Sequence, residues 1–121
     1  MIRLKATEIQ EILQGKVLCG ELPEEEIMTA CGSDMMSDVL AFPKEKMVLL
    51  TGLTNPHTIR TSELLDVGLI VFVRGKLPGS EVLEMAEDAG IAVLGTEYTL
   101  YDACGRLYQA GLPGGTGRKK K

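Results

Sequence analysis

The chain has 121 residues, 45% of them hydrophobic, which suffices for one domain with a sizeable core and is too little for two of ordinary size. Its formal charge is -4, and four of its thirteen basic residues are Arg118, Lys119, Lys120 and Lys121. The remaining body is therefore strongly acidic and repels a phosphate backbone, so nucleic acid is not an expected partner. No apolar run approaches the roughly 18 residues of a membrane span, and Met1-Ile2-Arg3-Leu4-Lys5 lacks the apolar stretch of a signal peptide. No membrane partner and a cytoplasmic location are expected.

In chain order, Thr7 and Gln10 have capping-box spacing, and Ile9, Ile12 and Leu13 form one apolar face, which predicts a helix ending at Gly15. Lys16-Val17-Leu18-Cys19 reads as a short strand, residues 20–26 as a solvated connection, and residues 27–30 as a further strand. Met35, Met36, Val39 and Leu40 predict a helix from Ser33 or Asp34 to about Phe42, stopped by Pro43. The second half alternates more clearly. Residues 47–50, 69–73 and 91–94 are continuous apolar runs, the pattern of strands covered on both faces. Each precedes a helix. Asn55-Pro56 starts the first, as N-cap and first-turn proline. Pro78-Gly79-Ser80 turns into the second, with Val82, Leu83, Ala86 and Ala89 inward and Gly90 ending it. Thr99 caps the third, with Leu100, Ala103, Cys104 and Leu107 inward, and Gly111 closes it. Right-handed crossovers make the three strands adjacent and parallel. The fold class predicted is α/β, a parallel-sheet three-layer sandwich with helices on both faces, in one domain over residues 1–112. Residues 113–121, rich in glycine and lysine, offer no apolar group to repay ordering and read as a disordered tail.

Parallel strands place their carboxyl ends on one edge, where ligands of open α/β sheets usually bind. Thr51, Gly52, Thr54 and Asn55 follow the first of these strands and lead into a helix N-terminus, whose free N–H groups and dipole hold anions. Arg74 and Gly75 follow the second, offering a bidentate cation and close backbone approach. Thr96 follows the third. These seven residues form the candidate ligand site. Each also has a structural alternative: loop-tidying threonines, a plain helix start, or an Arg74 ion pair with Asp34, Asp38 or a second subunit. Asp34 and Asp38, four apart on the predicted helix, read as solvated surface carboxylates or, alternatively, as a pair with an arginine or metal nearby. Cys19, Cys31 and Cys104, three at wide spacing, suit neither a disulfide framework nor a paired-cysteine zinc site, and read as reduced, packed thiols. Cys31 at a helix start is the one candidate for a reactive thiol. His57 is the only histidine, so no metal site and no cofactor are expected. There is no Gly-x-x-x-x-Gly-Lys-Ser/Thr loop with a following helix and no Gly-x-Ser-x-Gly elbow. Tyr101 and Tyr108, seven apart on one side of the last helix, suggest a subunit contact.

Four segments carry a family resemblance: Cys31-Gly32-Ser33-Asp34-Met35-Met36-Ser37-Asp38-Val39-Leu40, Leu49-Leu50-Thr51-Gly52-Leu53-Thr54-Asn55-Pro56, Ile70-Val71-Phe72-Val73-Arg74-Gly75 and Tyr101-Asp102-Ala103-Cys104-Gly105-Arg106-Leu107. Over about residues 1–112 the chain resembles the stand-alone proteins of the DRTGG domain family. The match is one of overall pattern. The Asp-Arg-Thr-Gly-Gly string itself is missing, and residues 51–55, the nearest equivalent, depart from it. Residues 70–107 are also similar to the N-terminal domain of HPr kinase/phosphorylase, which lacks that enzyme's phosphate loop. The resemblance implies an accessory, regulatory or dimerising role, since such domains accompany nucleotide-binding CBS domains or a phosphate acetyltransferase domain. The expectation is a non-catalytic regulatory or scaffold domain that forms a homodimer or larger homo-oligomer and binds a small anionic ligand, a nucleotide or phosphorylated compound. The alternatives are an enzyme of phosphotransfer type using Arg74 and the 51–55 loop, or a structural partner of a larger redox or signalling complex.

Overall fold

In the computed structural model, which describes residues 3–115, the apolar runs form strands whose side chains are divided between two cores. Strand β1 spans Lys16–Cys19, β2 Thr29–Gly32, β3 Met47–Thr51, β4 Leu69–Phe72 and β5 Ala92–Gly95; helix α1 spans Ala6–Leu13, α2 Met36–Ala41, α3 Pro56–Leu64, α4 Ser80–Asp88 and α5 Leu100–Gln109. Successive residues of a strand point to opposite faces. Val48, Leu50, Leu69, Val71, Ala92 and Leu94 accordingly join one core with Ala6, Ile9 and Leu13 of α1 and Ala103 and Leu107 of α5. Met47, Leu49, Ile70, Phe72 and Val93 join the other with Met36 and Val39 of α2, Ile59 of α3 and Val82 and Ala86 of α4. The chain is thus a single α/β domain, a five-stranded, mostly parallel sheet between two helical layers.

The strand order is β1-β5-β4-β3-β2. The sequence expectation that the three second-half strands are adjacent and parallel holds: Val48 pairs with Leu69, and Leu69 with Ala92, in parallel register. β2 extends this set, parallel to β3 from Thr29 opposite Met47 to Gly32 opposite Leu50. β1 alone runs antiparallel, beside β5. The expected caps form at α3, where Asn55 Oδ1 accepts from His57 N at 2.9 Å, and at α5, where Thr99 Oγ1 accepts from Asp102 N at 3.1 Å.

Three local expectations need correction. The first helix begins at Ala6, with Glu8 Oε1 accepting from Lys5 N at 2.8 Å in place of a Thr7 and Gln10 box, because fully buried Ala6 belongs to the apolar stripe with Ile9 and Leu13. The early strand lies at Thr29–Gly32, two residues later than read, since Ile27 forms an antiparallel bridge with Leu4 instead. The next helix starts at Met36 and not at Ser33 or Asp34. Ser33 Oγ accepts from Met35 N at 3.0 Å, and Asp34 is engaged elsewhere, so Asp34 and Asp38 do not share a helix face.

α5 crosses behind the sheet and packs on β2 and β3. Gly32 permits this approach, since a Cβ there would overlap Cys104 Sγ of α5. Gly32→Ala is expected to cost about 1–3 kcal/mol by overpacking. Cys104→Ala in the same chain should recover most of that loss, as read by urea midpoints. Strictly additive costs would show that the two sites do not meet.

Candidate functional site

Four loops meet at the carboxyl edge of β2, β3, β4 and β5. The β2 loop brings Asp34, and the β3 loop wraps around its carboxylate: Gly52 N donates to Asp34 Oδ1 at 2.6 Å and Thr51 Oγ1 donates to the same oxygen at 3.1 Å. Thr51 Oγ1 also accepts from Leu53 N at 3.1 Å, and Thr58 Oγ1 donates to Leu53 O at 2.6 Å. One backbone N–H of the β3 loop, that of Gly52, and the Thr51 hydroxyl thus already hold an anion, one supplied by the chain itself.

The β4 loop is stitched to the β5 loop by the backbone. Arg74 N donates to Tyr98 O at 2.8 Å and Gly75 N to Thr96 O at 2.9 Å. These bonds hold Arg74 and Gly75 in consecutive left-handed conformations, with φ of 58° and 66°. The left-handed region costs a non-glycine residue about 1 kcal/mol or more. The Arg74 side chain is exposed and makes no hydrogen bond or ion pair with any described residue. The ion pair with Asp34 or Asp38, the alternative reading of Arg74, is therefore not made within the chain. Its guanidinium nevertheless lies beside the Asp34 loop: a Cβ on Gly52 would stand 3.5 Å from Asp34 Oδ1 and 3.6 Å from Arg74 Nη2.

The seven residues singled out from sequence are distributed unevenly. Thr51 is fully buried, with its hydroxyl spent on Asp34 and Leu53 N. Gly52 gives its N–H to Asp34. Asn55 caps α3. Thr54 is half-buried, and Arg74 and Gly75 are exposed. Thr96 is 4% exposed and turned inward, with Oγ1 donating to Leu13 O at 2.6 Å and accepting from Tyr98 N at 3.3 Å. Thr96 thus closes a carbonyl at the end of α1 and presents no hydroxyl to the edge. Thr96→Val keeps the shape and orphans that carbonyl, an expected loss of about 1–3 kcal/mol in thermal or urea unfolding. Asp34 is the residue that sequence reasoning left out of the site. The signal was present in its place directly after Gly32 and Ser33, once residues 29–32 are recognised as a strand of the parallel set.

The cysteines show no activated thiol. Cys31 lies within β2 and not at a helix start, and burial pushes its thiol pKa up, with Lys44 opposing and Asp38 adding to the rise. Burial likewise raises Cys104 and Cys19, and the Cys19 thiol donates to Leu83 O at 3.6 Å. No cluster of three metal-ligating side chains occurs among the described residues, and none of the described helices is long and apolar enough to cross a membrane.

A concavity of about 700 Å³ that is lined by none of the seven residues, nor by Asp34, lies between α5 and β2. Its walls include Gly32, Tyr101, Gly105 and Tyr108. Tyr101 and Tyr108 are 86% and 73% exposed, so the side of the helix marked from sequence as a contact surface is indeed open.

No family model matches the sequence, and no curated protein does. Among solved structures, the chain is similar to the CBS and DRTGG domains of the regulatory region of Clostridium perfringens pyrophosphatase, in complex with its activator diadenosine tetraphosphate. The TM-score is 0.69 at 18% identity, over 90% of this chain and 47% of that one. The chain therefore spans about half the length of that regulatory region. The likeness is one of fold. It supports the DRTGG-related architecture suggested by the four sequence segments.

Proposed function

We propose that this chain is a non-catalytic regulatory module that self-associates and takes a small anionic ligand, a nucleotide or phosphorylated metabolite, at the carboxyl edge of its sheet. The observation that carries the reading is Arg74: an exposed guanidinium, unpaired among the described residues, at a left-handed backbone position beside a loop whose Gly52 N–H and Thr51 hydroxyl already hold a carboxylate. Glycine would occupy that backbone position with less strain, so an arginine there points to use of its side chain. The pyrophosphatase regulatory region with the related fold binds a polyanionic nucleotide activator, which supports the same ligand class. Self-association is supported by the exposed tyrosines of α5.

A thermal-shift panel of inorganic phosphate, mononucleotides and diadenosine tetraphosphate tests the ligand, because whatever binds the native state raises its apparent stability. At least one member is expected to raise the melting temperature of the parent and not that of Arg74→Ala. No shift at millimolar concentration, or equal shifts in both proteins, would remove the reading. Asp34 supplies a second arm. Its carboxylate occupies Gly52 N and repels an incoming anion, so Asp34→Asn is expected to tighten binding of the panel member while loosening the 51–53 turn. Weaker binding in Asp34→Asn would instead make Asp34 a ligand contact.

A further inference from the structure

The face of α5 over the concavity is exposed and carries two tyrosines. We propose that two chains dock α5 against α5 in antiparallel fashion about a two-fold axis near Gly105, which rests on the self-association part of the function proposed above. Three observations converge. Tyr101 and Tyr108 lie two helical turns apart, both exposed, with Gly105 between them. A Cβ at Gly105 would meet nothing within 4 Å, so the side chain is not excluded by this chain's own packing. A glycine inside a helix costs about 1 kcal/mol relative to alanine, and its return is close approach of another backbone.

The charges on this face are self-complementary. Asp102 and Arg106 also line the concavity, and they form no ion pair with each other although they stand four apart. Arg106 instead stacks over the Tyr98 ring at 4.2 Å. A two-fold interface repeats each contact, residue i on j and j on i. Antiparallel helices centred near Gly105 bring Tyr101 opposite Tyr108 of the partner subunit. They also bring Asp102 opposite Arg106 of the partner subunit, twice. Two acidic bodies repel, and this pair of reciprocal contacts offsets that repulsion at the point of closest approach.

The neighbouring sheet edge argues against an extended peptide as occupant. β2 is a terminal strand, but Ala30 N already donates to Pro113 O at 3.0 Å, which blunts the edge. A strand cannot be added along its whole length, whereas a helix can lie on α5.

Charge reversal tests the geometry by sedimentation velocity at micromolar concentration. The parent is expected to dimerise, and Asp102→Arg and Arg106→Asp each to sediment as monomers with unchanged far-ultraviolet circular dichroism. Mixing the two variants in equal amounts is expected to restore a dimer, as is combining both reversals in one chain, because each restores opposite charges across the axis. Single variants that dimerise like the parent, or a mixture that stays monomeric, would overturn this interface and leave self-association through another face. A monomeric parent would overturn both, without touching the ligand reading at Arg74.

Discussion

Phe72→Ala is expected to remove about 3–5 kcal/mol of folding free energy, the largest loss of any single substitution considered. Phe72 sits on β4, the middle strand of five, and is fully buried among the residues that meet α2, α3 and α4. Truncation forfeits the transfer free energy of the ring and leaves a cavity. The surroundings cannot collapse into it easily, because β4 is held by ladders on both sides, Thr51 opposite Phe72 on β3 and Gly95 opposite it on β5. A small domain has about 5–15 kcal/mol of total stability, so the loss is a large fraction of it. Urea unfolding followed by circular dichroism reads the change. A cost below about 1 kcal/mol would mean that this core is loosely packed.

Arg74→Ala is expected to weaken the anionic ligand found in the thermal-shift panel by about 1.5–3 kcal/mol, the range for a hydrogen bond to a charged group. That corresponds to roughly tenfold to a hundredfold in affinity. The same substitution should leave stability nearly unchanged, since the side chain has no partner among the described residues and alanine is as strained as arginine at φ 58°. Arg74→Gly relieves that strain and should bind as poorly as Arg74→Ala. Calorimetry with the parent and both variants separates a lost guanidinium from a distorted loop. Equal affinity in all three would assign Arg74 no part in binding and leave the edge as scaffold.

Much of the fold was legible in local sequence. Residues 47–50, 69–73 and 91–94 are apolar at every position, the pattern of short strands between two helical layers, and the structure buries them on both faces. Asn55, Pro56 and Thr99 mark helix starts through bonds that span two or three residues. Such signals survive in sequence because cause and effect lie within one turn of chain.

The site was legible only in part, because its decisive contacts are long-range. Asp34 reaches Gly52 eighteen residues on, and the hydroxyl of Thr96 turns to Leu13, eighty-three residues back. Neither partner could be assigned before strand order was known. A threonine at a strand end has the same local pattern whether its hydroxyl faces solvent or a buried carbonyl.

The sequence by itself indicated the parallel set β3-β4-β5, its two-sided burial and the gathering of the 51–55, 74–75 and 96 segments at one edge, since apolar runs and helix-length right-handed crossovers between successive strands leave few arrangements. Only the tertiary structure decided that β1 lies antiparallel on β5, that β2 closes the opposite end and carries Asp34 into the edge, and that α5 crosses behind β2 to open a tyrosine-lined concavity. Those choices rest on the fit of surfaces far apart in the chain. Gly32 lets α5 settle against β2 and Pro113 blunts the strand's outer side, and the alternatives differ in packing while sharing the same local pattern.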